Sequence, residues 1–405
     1  MHRVAIVGAS LAGVQAAQAL RRGGYDGSLT LIGAETHPPY DRPPLSKDFL
    51  AGTTGRERLG LRAVADPDAL GIDWQLGVRA TALELGPGDE GPRAVVVDDD
   101  RRLEVDGVVV ATGARPRTLP GTGGVDGVHV LRTLDDAMAV RAAFDRRPAS
   151  VVVIGCGFIG AEVAATARQD GLAVTVIEAA EAPLERVLDR EAGLAVAELH
   201  SSHGVDVRLS SPVDRLTVED ARVTGVELAT GGRVPADVVV VGIGVVPETG
   251  WLASSGLTLD NGVVADETCL AAPGVVAAGD VACWPNPRFG GRLLRIEQWD
   301  NAVEMGTYAG RRLLAWAEGR EVEPFAPVPW FWSDQYDRKI QLAGVAAGEP
   351  ELVQGSLEER RFVRLYVDDG VVVGALCWNR PRQAIQARQM IADGVPADDI
   401  RERLA

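Results

Sequence analysis

Cysteine is scarce and scattered in this chain. Its four residues, Cys156, Cys269, Cys283 and Cys377, form neither a CxxC nor a CxxxxC pair, which excludes a redox dithiol local in sequence. Histidine is as sparse. Of five, only His200 and His203 lie close together, in a charged, polar stretch (Glu198 to Asp206) with no other ligand, so the pair reads as a solvated helix end and no metal site is expected. No apolar run approaches the ~18 residues that cross a bilayer, and the chain enters a strand by Val4, leaving no room for a signal peptide. The expectation is a soluble, cytoplasmic protein. Positive charge is also short, with Lys+Arg 41 against Asp+Glu 57 and a net charge of -16. That balance opposes binding to nucleic acid or to an anionic membrane, and any acidic partner must meet a local basic patch.

What the chain has is glycine, placed to a plan. Its 405 residues allow two to four domains, and 46% hydrophobic content supports substantial cores. Val151 to Ile154 is an apolar strand that breaks at Gly155-Cys156-Gly157-Phe158-Ile159-Gly160. An Ala-rich helical segment follows, and a second apolar strand ends on Glu178. This is a complete βαβ dinucleotide fingerprint: Gly155 for the tight turn, Gly157 for backbone approach to a pyrophosphate, Gly160 for close helix–strand packing. The phosphates would rest on the helix N-terminus. Glu178 can accept from both ribose hydroxyls and would repel a 2′-phosphate, which favours NADH over NADPH.

A second copy opens the chain. Val4 to Val7 leads to Gly8-Ala9-Ser10-Leu11-Ala12-Gly13, and Leu29 to Ile32 leads to Glu35. Ser10 replaces the usual middle glycine, a mild departure, because serine is small and its hydroxyl can itself bond a phosphate. Two fingerprints imply two bound dinucleotides and chemistry between them.

Between and beyond these units, a proline loop (His37 to Lys47) ends where a helix could start at Ser46. Residues 66–106 read as a small sheet excursion with turns at Gly86-Pro87-Gly88 and at Asp98 to Asp100. Val108 to Gly113 and Asp237 to Gly244 are matching strands that break at glycine, so the halves look like diverged copies, the second inserted into the first. Strands are expected near Val205 to Leu209 and Arg222 to Leu228, and a helix capped by Thr133 after Leu131. Gly274 to Asp280 returns a buried strand ending on an acid at the ligand crevice. A helix is expected over Ala302 to Glu318, capped by Asp300 or Asn301. Pro324, Pro327 and Pro329 mark a linker before a smaller α/β domain.

The strings GASLAG, PPYDRPPLSK, VVVATGARPR, LRTLDDA, VVVIGCGFIGAE, VVVVGIGVVPE, GVVAAGD, IEQWDNA and PWFWSDQY, in this order and spacing, resemble the FAD-dependent NADH:ferredoxin reductases (putidaredoxin reductase-like) of bacterial oxygenase and cytochrome P450 systems. Apoptosis-inducing factor and rubredoxin reductase look like cousins. The resemblance implies an α/β fold with two Rossmann-like, glutathione reductase-like nucleotide-binding domains plus a small C-terminal α/β domain: residues 1–112 and 243–320 for FAD, 113–242 for NAD, and 321–405. For FAD it implies Gly8, Ser10, Ala12 and Gly13 at the pyrophosphate, Glu35 at the ribose, and Arg42, Lys47, Ala80, Arg132, Asp280, Gln298, Trp299 and Trp332 as further contacts. For NAD it implies Gly155, Gly157, Phe158, Ile159, Gly160, Glu178 and Gly242, with Glu162 and Glu297 near the nicotinamide. Lys47 paired with Glu162 would position that ring as the catalytic pair.

Relatives of the disulfide reductase kind pass electrons to cysteines near the flavin, yet no cysteine precedes Cys156 here. Electrons must leave to an outside acceptor, and single-electron steps suit a [2Fe-2S] ferredoxin docking on positive charge, for which Arg292, Arg295, Arg311, Arg312, Arg338 and Lys339 are candidates. The alternatives are a rubredoxin reductase, a small-acceptor NADH oxidase or quinone reductase, and an NADH-sensing interaction flavoprotein.

Overall fold

Valine-rich runs with no polar face can only become strands covered on both sides, and they form the centres of two parallel sheets. The computed structural model describes residues 1–62, 67–86, 88, 91, 93–185 and 187–405. The chain divides into two compact units: Met1–Asp41, Leu59–Arg115 and Val246–Pro329, and Arg42–Arg58, Pro116–Val245 and Trp330–Ala405. Among the described residues the helices are α1 (Leu11–Arg22), α2 (Leu134–Asp145), α3 (Phe158–Gln169), α4 (Arg190–Ser202), α5 (Trp299–Ala317), α6 (Pro381–Ala392) and α7 (Ala397–Leu404).

In the first unit, strand Arg3–Val7 lies between Ser28–Gly33 and Gly107–Val110, all parallel, with Val4 opposite both Leu29 and Gly107. Ile72–Leu76 and Val275–Ala277 extend the sheet in parallel on its two sides, and Leu270–Ala272 closes one edge antiparallel. Ile72–Leu76 therefore leaves the expected small excursion for the main sheet. The excursion itself is the antiparallel Ala80–Leu85, Arg93–Val97 and Arg102–Val105; Asp66 and Pro87 lie outside the described residues.

Glycine sets the crossing of α1 and α5. A Cβ on Gly306 would fall 2.4 Å from the Ala12 carbonyl oxygen, and one on Gly310 2.6 Å from that of Ala16, so the two backbones touch. Pairing 306 with 12 and 310 with 16 makes the helices parallel. Both N-termini face the same end of the unit, with α5 starting roughly 9 Å further out at 1.5 Å per residue. The helix begins at Trp299 with Gln298 as N-cap, earlier than expected. Asn301 lies inside the first turn, where its amide donates to Ile296 O at 3.1 Å rather than capping.

In the second unit the sheet runs Asp206–Arg208, Val174–Ile177, Val151–Ile154, Val238–Val241, Val128–Val130, parallel throughout. Thr133 caps α2 in a reciprocal box with Asp136. No helix starts at Ser46: Pro43–Ser46 is one 3-10 turn, closed by Lys47 N donating to Pro44 O at 3.0 Å.

The segment from Trp330 is a five-stranded antiparallel sheet, Trp330–Gln335, Arg338–Gly344, Val371–Trp378, Arg361–Asp368 and Glu349–Ser356, with α6 and α7. Its Phe331, Leu342, Phe362 and Trp378 pack on Leu188, Ala192, Val196 and Leu199 of α4 and its approach. This covering corrects the reading of His200 as a solvated helix end. His200 is 0% exposed, because it shares the covered face of α4, while Glu198, Ser201, Ser202 and His203 remain exposed.

Candidate functional site

Each unit builds a glycine turn in front of a helix whose N-terminus no side chain caps. In the first, Gly8 ends the strand at φ 125, its N–H donates to Ile32 O at 2.8 Å, and a Cβ there would fall 2.0 Å from Ala111 O. Gly13 is as tightly held: its Cβ would meet Gly8 O at 2.0 Å. Ser10 is the N-cap of α1 in extended conformation and its side chain makes no capping bond. The first N–H groups of α1 and the Ser10 hydroxyl are thus available to an anion. Ala12 packs where a Cβ on Gly279 would come within 3.0 Å. Glu35 follows the second strand and accepts from Tyr40 Oη at 2.5 Å.

Around the start of α5 the same unit gathers Asp280, Gln298 and Trp299. Arg295 donates to Asp280 O at 3.2 Å and pairs with Glu297 at 2.6 Å. Trp299 Nε1 donates to Asp41 Oδ1 at 2.8 Å. Gln298 Oε1 and Asn301 Oδ1 are buried without a hydrogen-bond partner, which a bound polar group would relieve. Ala80 opens its strand opposite Val97. A dinucleotide fits these residues: uncapped helix starts, an acid following the second strand and orphaned acceptors.

The second unit repeats the cradle. Gly155 has φ 94, and its Cβ would fall 2.4 Å from Gly242 O; that of Gly160 would fall 2.0 Å from Gly155 O. Gly157, the N-cap of α3, differs: a Cβ there would meet nothing nearer than Gly242 O at 4.0 Å. The first two glycines serve packing, whereas the third leaves open space at an uncapped helix start. Glu178 accepts from Cys156 N at 2.7 Å and from Ala180 N at 2.9 Å, so the acid also ties the glycine turn to the end of its own strand. Phe158 packs its ring on Phe331 at 4.2 Å, and Ile159 is 45% exposed.

One turn into α3, Glu162 is 3% exposed yet carries three hydrogen bonds. Oε2 accepts from Ser46 Oγ at 2.5 Å and Lys47 Nζ at 2.7 Å, and Oε1 accepts from Ser333 Oγ at 2.7 Å. Lys47 also donates to Pro43 O at 3.2 Å, and Thr166, one turn on, donates to Ser46 O at 2.8 Å. The proline loop is thereby fastened to α3, and the expected Lys47–Glu162 pair is present. Arg42 donates to Arg132 O at 2.6 Å in the same unit. Trp332 is half-buried on strand Trp330–Gln335.

Sequence reasoning missed Ser46, Ser333 and Gln335. Their signal was present in PPLSK and FWSDQ, strings that no nucleotide fingerprint requires. The six basic docking candidates are divided between the units. Arg295, Arg338 and Lys339 hold acidic partners and Arg312 donates to Thr268 Oγ1, while Arg292 and Arg311 are exposed. All four cysteines are buried; burial pushes the Cys156 and Cys377 thiols up to about 12, far from a reactive thiolate.

Comparison with known proteins agrees with this geometry. The family described as pyridine nucleotide-disulphide oxidoreductase matches residues 2–306, and that described as reductase C-terminal matches residues 330–403. Rhodocoxin reductase of Rhodococcus erythropolis is 39% identical over 397 residues, 97% of this chain and 90% of the relative. The anthranilate 1,2-dioxygenase system ferredoxin--NAD(+) reductase component of Burkholderia cepacia is 39% identical over 399 residues, 97% and 95% of the two chains. The crystal structure of the covalent putidaredoxin reductase-putidaredoxin complex is similar at a TM-score of 0.89 and 35% identity, covering 98% of this chain and 94% of that one.

Proposed function

The chain belongs to the pyridine nucleotide-disulphide oxidoreductase family, and from that premise we propose that it is an FAD-dependent ferredoxin--NAD(+) reductase, passing electrons from NADH to a [2Fe-2S] ferredoxin that serves an oxygenase or cytochrome P450 in the cytoplasm. The single observation that carries this reading is the doubled cradle, two uncapped helix starts behind glycine turns, in a chain whose four thiols are all buried. Bound FAD supplies the exchange between a two-electron hydride donor and a one-electron acceptor.

In this reading Gly8, Ser10, Ala12 and Gly13 hold the FAD pyrophosphate, Glu35 its ribose, and Asp280, Gln298 and Trp299 the region at the start of α5. Arg42, Lys47, Ala80, Arg132 and Trp332 complete the FAD contacts. Gly155, Gly157, Phe158, Ile159, Gly160, Glu178 and Gly242 hold NADH, Glu297 lies by the nicotinamide, and Lys47 with Glu162 orients that ring. Residues 1–112 and 243–320 are the FAD domain, 113–242 the NAD domain and 321–405 the C-terminal domain. Among the described residues no helix is long and apolar enough to cross a membrane.

Stopped-flow reduction with NADH and NADPH, followed by mixing with [2Fe-2S] and rubredoxin-type acceptors, tests the proposal. Fast bleaching by NADH and onward transfer to a [2Fe-2S] protein are expected; rapid NADH turnover on oxygen or quinone alone would overturn the ferredoxin assignment. Glu178→Arg should move the NADH/NADPH ratio toward NADPH by about tenfold or more, about 1.4 kcal/mol, since a repelling charge becomes an attracting one. Unchanged discrimination would mean that another residue reads the ribose.

A further inference from the structure

The FWSDQ motif carries polar residues that the reaction above does not use. Ser333 and Gln335 stand two apart on strand Trp330–Gln335, so they share a face, and both are 0% exposed. Buried polar groups need partners, and here the partners form one line. Glu162 Oε1 lies 2.7 Å from Ser333 Oγ, Ser333 Oγ 3.1 Å from Gln335 Nε2, Gln335 Oε1 3.0 Å from His200 Nε2, and His200 Nδ1 3.0 Å from Tyr336 Oη.

Counting hydrogens fixes the direction of that line. A carboxylate only accepts, so the single Ser333 hydrogen goes to Glu162 and Ser333 must accept from the Gln335 amide. Gln335 then offers its oxygen to His200, which must carry its hydrogen on Nε2 and accept from Tyr336 on Nδ1. If Glu162 gained a hydrogen on Oε1, every bond would reverse: Ser333 would donate to Gln335, the Gln335 amide would flip to donate to Nε2, and the His200 hydrogen would move to Nδ1.

We propose that His200 is a positioning residue for the Lys47–Glu162 pair, acting through Gln335 and Ser333, and that its tautomer is coupled to the charge of Glu162. With Oε1 held by Ser333, the other oxygen is aimed at Ser46 and Lys47. A second observation stands behind the far end. Tyr336 has φ 57 in the two-residue turn between Gln335 and Arg338, a conformation that a bulky residue seldom adopts. Its ring stacks on His203 at 3.7 Å while its hydroxyl reaches His200, so the strained turn is what presents that hydroxyl. Burial lowers the His200 pKa to about 4, with His203 adding to the effect and the Gln335 bond opposing it. The ring is therefore neutral at pH 7, and its single N–H follows the direction of the line.

The proposal rests on Lys47 and Glu162 being the reactive pair, but its first test needs no turnover. The chain has five histidines, few enough for 15N-histidine NMR of the FAD-loaded protein. Wild type should show His200 protonated at Nε2, and Glu162→Gln, whose amide can donate where the carboxylate accepted, should move the proton to Nδ1. An Nδ1-protonated wild type, or an unmoved proton in Glu162→Gln, overturns the coupling; if that variant fails to fold, the wild-type tautomer alone still decides. In stopped flow, Gln335→Leu and His200→Phe should slow flavin reduction by NADH about 10- to 100-fold with NADH affinity unchanged, the size expected of a misplaced reacting group. His200→Gln, which keeps an N–H toward Gln335, should recover part of the rate. Wild-type rates in Gln335→Leu would refute positioning while leaving the reductase assignment intact.

Discussion

Gly157→Ala is expected to weaken NADH binding by about 10- to 100-fold with almost no change in melting temperature, whereas Gly160→Ala should lower the melting temperature itself. The two glycines lie three residues apart in one turn, yet their surroundings differ. Gly157 has φ -73 and ψ -177, ordinary for any residue, and an added methyl would meet no protein atom closer than 4.0 Å. As an N-cap, alanine in place of glycine costs on the order of 1 kcal/mol or less. The space that methyl would fill is where the pyrophosphate approaches, so ligand affinity takes the loss. At Gly160 the methyl would fall 2.0 Å from the Gly155 carbonyl oxygen, and forcing helix and turn apart costs about 1–3 kcal/mol of stability. Thermal melts and NADH titrations of both variants separate the roles. Normal NADH affinity in Gly157→Ala would rule out the second fingerprint as a phosphate cradle.

Arg364→Met should remove about 3–5 kcal/mol from the stability of the second unit. Arg364 is 5% exposed, donating to Asp189 Oδ1 at 2.8 Å and to Glu191 Oε2 at 2.6 Å, and Tyr366 Oη donates to Asp189 Oδ2 at 2.6 Å. Asp189 is also the N-cap of α4, accepting from Ala192 N at 2.9 Å. One carboxylate thus joins the C-terminal sheet to the helix beneath it, and methionine would leave it half-buried without its cation. Burial alone would raise the Asp189 pKa, but the Tyr366 hydroxyl, the Ala192 N–H and Arg364 outweigh it and hold the group below the ordinary carboxylate range. Because the folded value is depressed, this stabilisation is full above the unfolded value near pH ~4 and is lost as pH falls through the folded one. Urea midpoints followed from neutral to strongly acidic pH should therefore drop less steeply in Asp189→Asn than in wild type. An unchanged acid limb would show that Asp189 carries none of the linkage.

Much of this architecture can be read from local patterns. Valine runs breaking at glycine locate Val151–Ile154, Val238–Val241, Arg3–Val7 and Val275–Ala277, because a strand buried on both faces needs no partner information to be recognised. Thr133 is legible as a cap for the same reason: its partner Asp136 is three residues away. The interior of the Glu162 site was not legible. Ser46, Glu162 and Ser333 are separated by more than a hundred residues at each step, and a buried serine looks the same in sequence as an exposed one. His200 shows the limit most clearly. Polar neighbours at Glu198, Ser201 and His203 describe the outer side of α4, and only the distant strands that cover the other side make residue 200 interior. Local charge likewise did not reveal that Arg295, Arg312, Arg338 and Lys339 are already engaged.

The backbone contact of α1 and α5 at Gly306 and Gly310 bears on how a redox group would be served there. Two helices meeting without intervening side chains cannot slide or swivel independently, so the dipoles at their starts stay fixed when a nearby ring gains or loses charge. With an electron carrier bound there, less of the surroundings would have to rearrange with each electron, which would lower the reorganisation energy of transfer. Larger residues at 306 or 310 would force the two backbones apart and lower the melting temperature, and protein that still folds should exchange electrons more slowly at unchanged driving force.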